Sequence, residues 1–236
     1  MLGNFLEISI QTPDILASLD FYLRLGFERA PVNNDVWTHP YAVLSDGHIY
    51  LGLHQYAFPS PSLTFVLPDL RRQLPDFEAL GIQFVFRKLG DDQFNEAGFY
   101  DPDQQMVTLL EARSCSPLGS PITGCLCGYF DEYRVYVRDP QVSRQFWEKL
   151  GLVYTGPDAV QQQNVRLATG GLNLGLQVSA TPGRPLIAFL HAQPEDLAEW
   201  LLQRNIPVAP AASPRAAGIS LTTPEGTQLL IIGNDS

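Results

Sequence analysis

Few residues in this sequence have chemistry to offer, and the first of them is a carboxylate on a strand. Leu6, Ile8 and Ile10 alternate with Glu7, Ser9 and Gln11, so one face of this strand is apolar and Glu7 lies on the other. A carboxylate facing inward must be paired, hydrated or protonated, because burying an isolated charge is costly. It serves as half of a structural pair, as a general base, or as an anchor for a cationic or hydrogen-bonding ligand. Over residues 36–45, Ala42 and Leu44 mark an apolar face and turn Trp37, His39 and Tyr41 to the other side. Aromatic walls with a few polar points describe a small-molecule pocket and, equally, ordinary core filling. His54 closes a further strand-like run, Tyr50-Leu-Gly-Leu-His54. The three cysteines, Cys115, Cys125 and Cys127, are odd in number and crowded together, which is no disulfide framework; with no histidine near them they make no zinc site.

The elements that must position these groups occur twice. Residues 7–27, EISIQTPDILASLDFYLRLGF, align without gaps to residues 132–152, EYRVYVRDPQVSRQFWEKLGL. Asp14 and Asp139 are helix caps, Gly26 and Gly151 helix ends. Between them Ser18, Phe21, Tyr22 and Leu25 fall at i, i+3, i+4 and i+7, as do Ser143, Phe146, Trp147 and Leu150. Tyr50–His54 matches Asn173–Gln177, and Asp101-Pro-Asp-Gln104 matches Thr223-Pro-Glu-Gly226. A Pro/Gly/Ser-rich stretch, Ser114–Gly124, separates the copies. The expected division is a first domain over 1–113, a linker over 114–127 and a second domain over 128–236. Each copy reads strand, helix and three strands, twice over. The fold class is therefore α+β.

Bulk properties narrow the partners. With 25 acidic and 15 basic residues among 236, the net charge is −10, which disfavours nucleic acid and anionic lipid. Charges or prolines interrupt every apolar run, so no membrane span is expected. The N-terminus lacks a basic region followed by an apolar one, and a cytoplasmic location is expected.

The segments Asp14-Ile-Leu-Ala-Ser-Leu-Asp-Phe-Tyr22, Leu25-Gly-Phe27 and Phe99-Tyr-Asp-Pro-Asp-Gln-Gln-Met-Val-Thr-Leu109 resemble motifs of the vicinal oxygen chelate superfamily. That superfamily includes glyoxalase I, extradiol dioxygenases, fosfomycin-resistance enzymes and bleomycin-binding proteins. The resemblance implies two tandem glyoxalase-like domains, each a cup-shaped mixed sheet with helices outside and a metal and substrate within. It also implies metal ligands at four positions, which here hold Glu7, Gly52, Ser62 and Thr108, and in the second copy Glu132, Gly175, Leu186 and Leu230. One carboxylate per copy falls short of the three good ligands a divalent metal needs. If a metal is present, Glu7 and His54 are its first candidates.

The leading expectation is thus metal-independent binding of a small organic molecule in the first cup. The residues expected there are Glu7, Ser9, Trp37, Tyr41, Gly52, His54, Ser62, Thr64, Tyr100 and Thr108, with Gly52 leaving extra room for an organic group. No cofactor is expected. The first alternative is an enzyme of lyase, isomerase or dioxygenase type, using a displaced metal or Glu7 as base; the second is a structural or regulatory protein with both cups filled. In copy two, Glu132 has Arg134 and Arg166 available, so an ion pair in a filled cup is expected. Internal duplication supplies the pairing that single-domain relatives obtain by dimerising, and the chain is expected to be a monomer or a homodimer.

Overall fold

The structure, a computed structural model, describes residues 1–32, 38–91, 94–112, 124–156, 164–181, 183–211 and 218–234. The first half runs β1 (Asn4–Gln11), α1 (Ile15–Arg24), β2 (Glu28–Ala30), β3 (Tyr41–Ser45) and β4 (Tyr50–His54). It continues with β5 (Ser62–Leu67), α2 (Leu70–Ala79), β6 (Phe84–Lys88), β7 (Glu96–Tyr100) and β8 (Met106–Glu111). The second half repeats this series: β9 (Tyr129–Val137), α3 (Pro140–Lys149), β10 (Val153–Tyr154), β11 (Asn164–Thr169) and β12 (Leu172–Val178). Then follow β13 (Leu186–His191), α4 (Pro194–Leu202), β14 (Ala209–Pro210), β15 (Gly218–Thr222) and β16 (Gln228–Gly233). The strands form two eight-stranded mixed sheets of identical order, β2-β3-β4-β1-β5-β8-β7-β6 and β10-β11-β12-β9-β13-β16-β15-β14. The fold is α+β, two tandem domains of two βαβββ modules each.

Local chemistry accounts for the repeated unit. The Asp14 carboxylate accepts hydrogen bonds from the backbone N–H groups of Leu16 and Ala17, and Asp139 does the same for Gln141 and Val142. Gly26 (φ 84°) and Gly151 (φ 104°) take the left-handed turn that ends each helix. Strand alternation then separates two faces. Leu51, Ile8, Leu63, Val107 and Phe99 are neighbours in register across the first sheet and are wholly buried in the core beneath the helices. One residue along, Glu7, Thr64, Thr108 and Gly98 form the matching row on the opposite face. The polar row faces the cup.

Two details depart from the expected elements. The strand expected over 36–45 begins at Tyr41; Thr38 and His39 form a bend, and Pro40 has no N–H to give the ladder. Residues 36 and 37, and with them the expected pocket residue Trp37, lie outside the described residues, as do Ser114, Cys115 and Ser116. The helix stripe also does more than cover its own sheet. Ser18 and Tyr22 donate to the Glu225 carboxylate of the other repeat at 2.7 and 2.8 Å. In the symmetric contact Ser143 donates to Asp103. Each Asp/Thr-Pro-acid turn thus docks on the first helix of the other domain, and Phe27–Phe189 (6.1 Å) and Phe99–Phe146 (6.3 Å) join the cores.

Candidate functional site

The first cup holds a cavity of about 620 Å³. Its floor comes from adjacent strands: Glu7 and Ser9 of β1, Thr64 of β5, and Met106, Thr108 and Leu110 of β8. One wall carries Phe86, Lys88, Phe94 and Glu96, from β6, β7 and their connection; the other carries His39, His54 and the turn from Gln55 to Pro59. His39 stacks on Tyr56 at 5.0 Å and Tyr56 on Phe58 at 5.8 Å, while His54 meets Phe58 edge-on at 5.5 Å.

Glu7 organises the floor. Its Oε1 accepts from Ser9 Oγ (2.8 Å) and faces His54 Nε2 (3.2 Å), and its Oε2 accepts from the Tyr41 hydroxyl (2.7 Å). Ser9 has one proton and gives it to the carboxylate, so the Thr64 hydroxyl, 2.7 Å away, donates to Ser9. A carboxylate only accepts, so His54 Nε2 is the donor toward Glu7, and His54 Nδ1 lies 2.9 Å from His39 Nε2. Burial, then the negative charge of Glu7, pushes the Tyr41 hydroxyl far above its ordinary value, so it stays a donor. Burial and the neighbouring His54 hold His39 below 6.5. Lys88 donates to Glu96, and that bond keeps its ammonium charged.

Of the residues singled out in the sequence, Glu7, Ser9, His54, Thr64 and Thr108 line the cavity. Tyr41 and Ser62 stand behind the wall, Tyr41 on Glu7 and Ser62 on Thr108 (2.8 Å). Tyr100 is not among the lining residues. Gly52 corrects an expectation: a Cβ there would lie 2.0 Å from Glu7 Oε1, so the space left by the missing side chain holds the carboxylate, not an organic group. Sequence reading missed the wall of Phe86, Lys88, Phe94 and Glu96. Its available signal was the pairing of Lys88 with Glu96 across the β6–β7 hairpin.

The metal that the fold family implies does not fit this donor set. Gly52 offers no ligand, and Ser62 and Thr108 offer hydroxyls already bonded to each other. Glu7, His54 and His39 lie in a line, each touching the next, rather than converging on a point. Among the described residues no group of three or more His, Cys, Asp or Glu side chains could hold a metal ion.

The second cup is occupied by charge. Glu132 accepts from Arg134 Nε (2.6 Å) and Arg166 Nε (3.0 Å), and Arg166 also reaches Asp131 at 2.8 Å. A Cβ on Gly175 would lie 2.4 Å from Glu132, so the glycine-under-carboxylate arrangement is repeated.

No family model matches the chain, and no curated protein does. Solved structures do. A catechol 2,3-dioxygenase matches at a TM-score of 0.63 with 14% identity, over 98% of this chain and 88% of its own. Homoprotocatechuate 2,3-dioxygenase from Arthrobacter globiformis matches at 0.66 with 13% identity, over 99% and 80%. The 2,3-dioxygenase LapB from Pseudomonas sp. KL28 matches at 0.62 with 13% identity, over 99% and 94%. Along almost its whole length this chain has the fold of the extradiol dioxygenases, built here around a cavity whose floor is a hydrogen-bonded glutamate.

Proposed function

We propose that the cavity of the first domain binds a small, largely flat organic molecule without a metal ion. The observation that carries this reading is the floor itself: the positions that the fold family gives to metal ligands hold Glu7 over Gly52, beneath a 620 Å³ space with aromatic walls. Such walls favour a planar ligand by stacking and edge contacts. The lining carries Glu7, Glu96 and Lys88, an acidic balance that favours a neutral or cationic molecule over an anion. The second domain, whose cup carries the Glu132–arginine ion pairs, is read as scaffold. The protein is read as cytoplasmic, its two repeats supplying within one chain the pairing that a monomer needs.

Native mass spectrometry with metal analysis, on protein purified without chelators or metal affinity resin, tests the proposal. A metal-free chain carrying added organic mass, lost in Glu7→Gln, is the expected result. One divalent ion per chain overturns it. That outcome favours a second reading, a ring-cleaving dioxygenase, whose support is the likeness over 98–99% of this chain to structures of such enzymes.

A further inference from the structure

We propose that the cavity takes a planar organic cation, whose charge sits against Glu96 and the ring of Phe86 in the place that the Lys88 ammonium now occupies. The inference rests on the binding reading above and names the ligand class for the same cavity. The place is built by β7 and β6, the last two strands of the first sheet. In β6 the register shifts between Phe84 and Phe86, leaving Val85 exposed and pairing Phe86 with Gly98 of β7. A Cβ on Gly98 would lie 2.1 Å from Cε1 of the Phe86 ring, so the ring is seated on the cup face over a position that glycine leaves open. Two residues on, Lys88 shares that face. Its ammonium stands 5.7 Å from the centre of the Phe86 ring and donates to the Glu96 carboxylate, its partner in register across the hairpin. Tyr56, stacked on Phe58, bears on the ammonium from the other wall. A cation held between a carboxylate and aromatic faces is the arrangement by which proteins recognise organic cations. Here a lysine of the chain itself fills it.

Lys88 is the member of the pair that yields. Its side chain is 56% exposed against 21% for Glu96, and it ends the edge strand of the sheet on a flexible methylene stem. Glu96 begins β7, held in register between Lys88 on one side and Leu110 of β8 on the other. An ion pair so exposed is weak, because water solvates both charges. A ligand cation that brings its own flat ring replaces the ammonium at Glu96, stacks against the aromatic walls and releases Lys88 into solvent. The exchange conserves charge within the site and forms no covalent bond. An anion fits worse: to reach Lys88 it must part the ammonium from Glu96 and leave that carboxylate facing a second negative charge. The surface field acts in the same direction, since a chain with a net charge of −10 draws cations toward it.

Isothermal titration calorimetry of the whole chain with three bicyclic probes tests the proposal: N-methylquinolinium, neutral 4-methylquinoline and anionic 1-naphthoate. The cation is expected to bind at least about fivefold tighter than the neutral probe, and the anion weakest. Lys88→Met keeps an unbranched stem and removes the charge; it is expected to tighten N-methylquinolinium by about five- to tenfold and to leave 4-methylquinoline within about twofold. Lys149→Met, an equal loss of charge on α3, is expected to change neither. Glu96→Gln is expected to bring the cation and the neutral probe within about twofold of each other. The Lys88 and Glu96 variants are expected to keep the melting temperature within about 3 °C, because the exposed pair adds little to stability, so the affinities compare folded chains. A cation left unchanged or weakened by Lys88→Met, or tightened as much by Lys149→Met, overturns the proposal. So does 1-naphthoate bound tightest and lost in Lys88→Met, which would make Lys88 the anchor of an anion. Binding of 4-methylquinoline without preference for the cation sinks the cation site and spares the binding reading, whereas absence of binding by all three probes sinks the two together.

Discussion

Replacing Gly52 by alanine tests whether the floor of the cup is built as described. Gly52 lies in register between Ser9 of β1 and Val43 of β3, so its backbone is held from both sides. The new methyl would stand 2.0 Å from Glu7 Oε1 and 2.2 Å from its carboxyl carbon, and one of them must leave. The side chain of Glu7 is the movable partner. Moving it breaks contacts with Ser9, Tyr41 and His54 and strands these buried groups. Hydrogen bonds to a charged group contribute about 1.5–3 kcal/mol each, so losing two of the three costs about 3–6 kcal/mol. For a chain of this size that lowers the melting temperature by roughly 6–24 °C. Urea denaturation followed by circular dichroism supplies the free energies for a double-mutant cycle. Once Glu7→Ala has emptied the space, Gly52→Ala is expected to cost less than about 1 kcal/mol, or to stabilise by restricting the unfolded chain. Additivity of the two changes within about 0.5 kcal/mol would falsify the account, because it would mean that methyl and carboxylate do not compete.

Two further outcomes follow from the contact between the domains. Asp101 is buried beside Trp147, and burial raises its carboxyl from the ordinary 3.8 to about 6. Between these values the folded state binds the proton more tightly than the unfolded state. Stability is therefore fully present below about pH 4 and falls as pH rises toward 6, by on the order of 1–3 kcal/mol. Asp101→Asn is expected to flatten that part of the urea-midpoint profile; an unchanged slope assigns it elsewhere. Glu225→Ala leaves the Ser18 and Tyr22 hydroxyls without their acceptor at the joint, and a loss of about 2–3 kcal/mol is expected in the same assay. A loss below about 0.5 kcal/mol would mean that water replaces the carboxylate.

The fold was legible because its signals are local. Alternation along β1, the Asp14 and Asp139 caps, the glycine stops and the recurrence of the whole unit each depend on neighbours within a few residues, so composition and spacing were enough to reach two tandem domains. That Gly52 offers no donor side chain was equally legible, since glycine has none in any fold. What stood on these local elements only the tertiary structure decided. The Ser18 and Tyr22 stripe looked like cover for its own sheet, and its Glu225 partner lies more than 200 residues away. Gly52 looked like empty space, and register across β1 and β4 places the Glu7 carboxylate there. The wall of Phe86, Lys88, Phe94 and Glu96 and the line from His39 through His54 to Glu7 join segments that no periodicity connects. A sequence sets which side of a strand each residue takes; which residues then meet across a curved sheet depends on pairing, register and the docking of one repeat on the other.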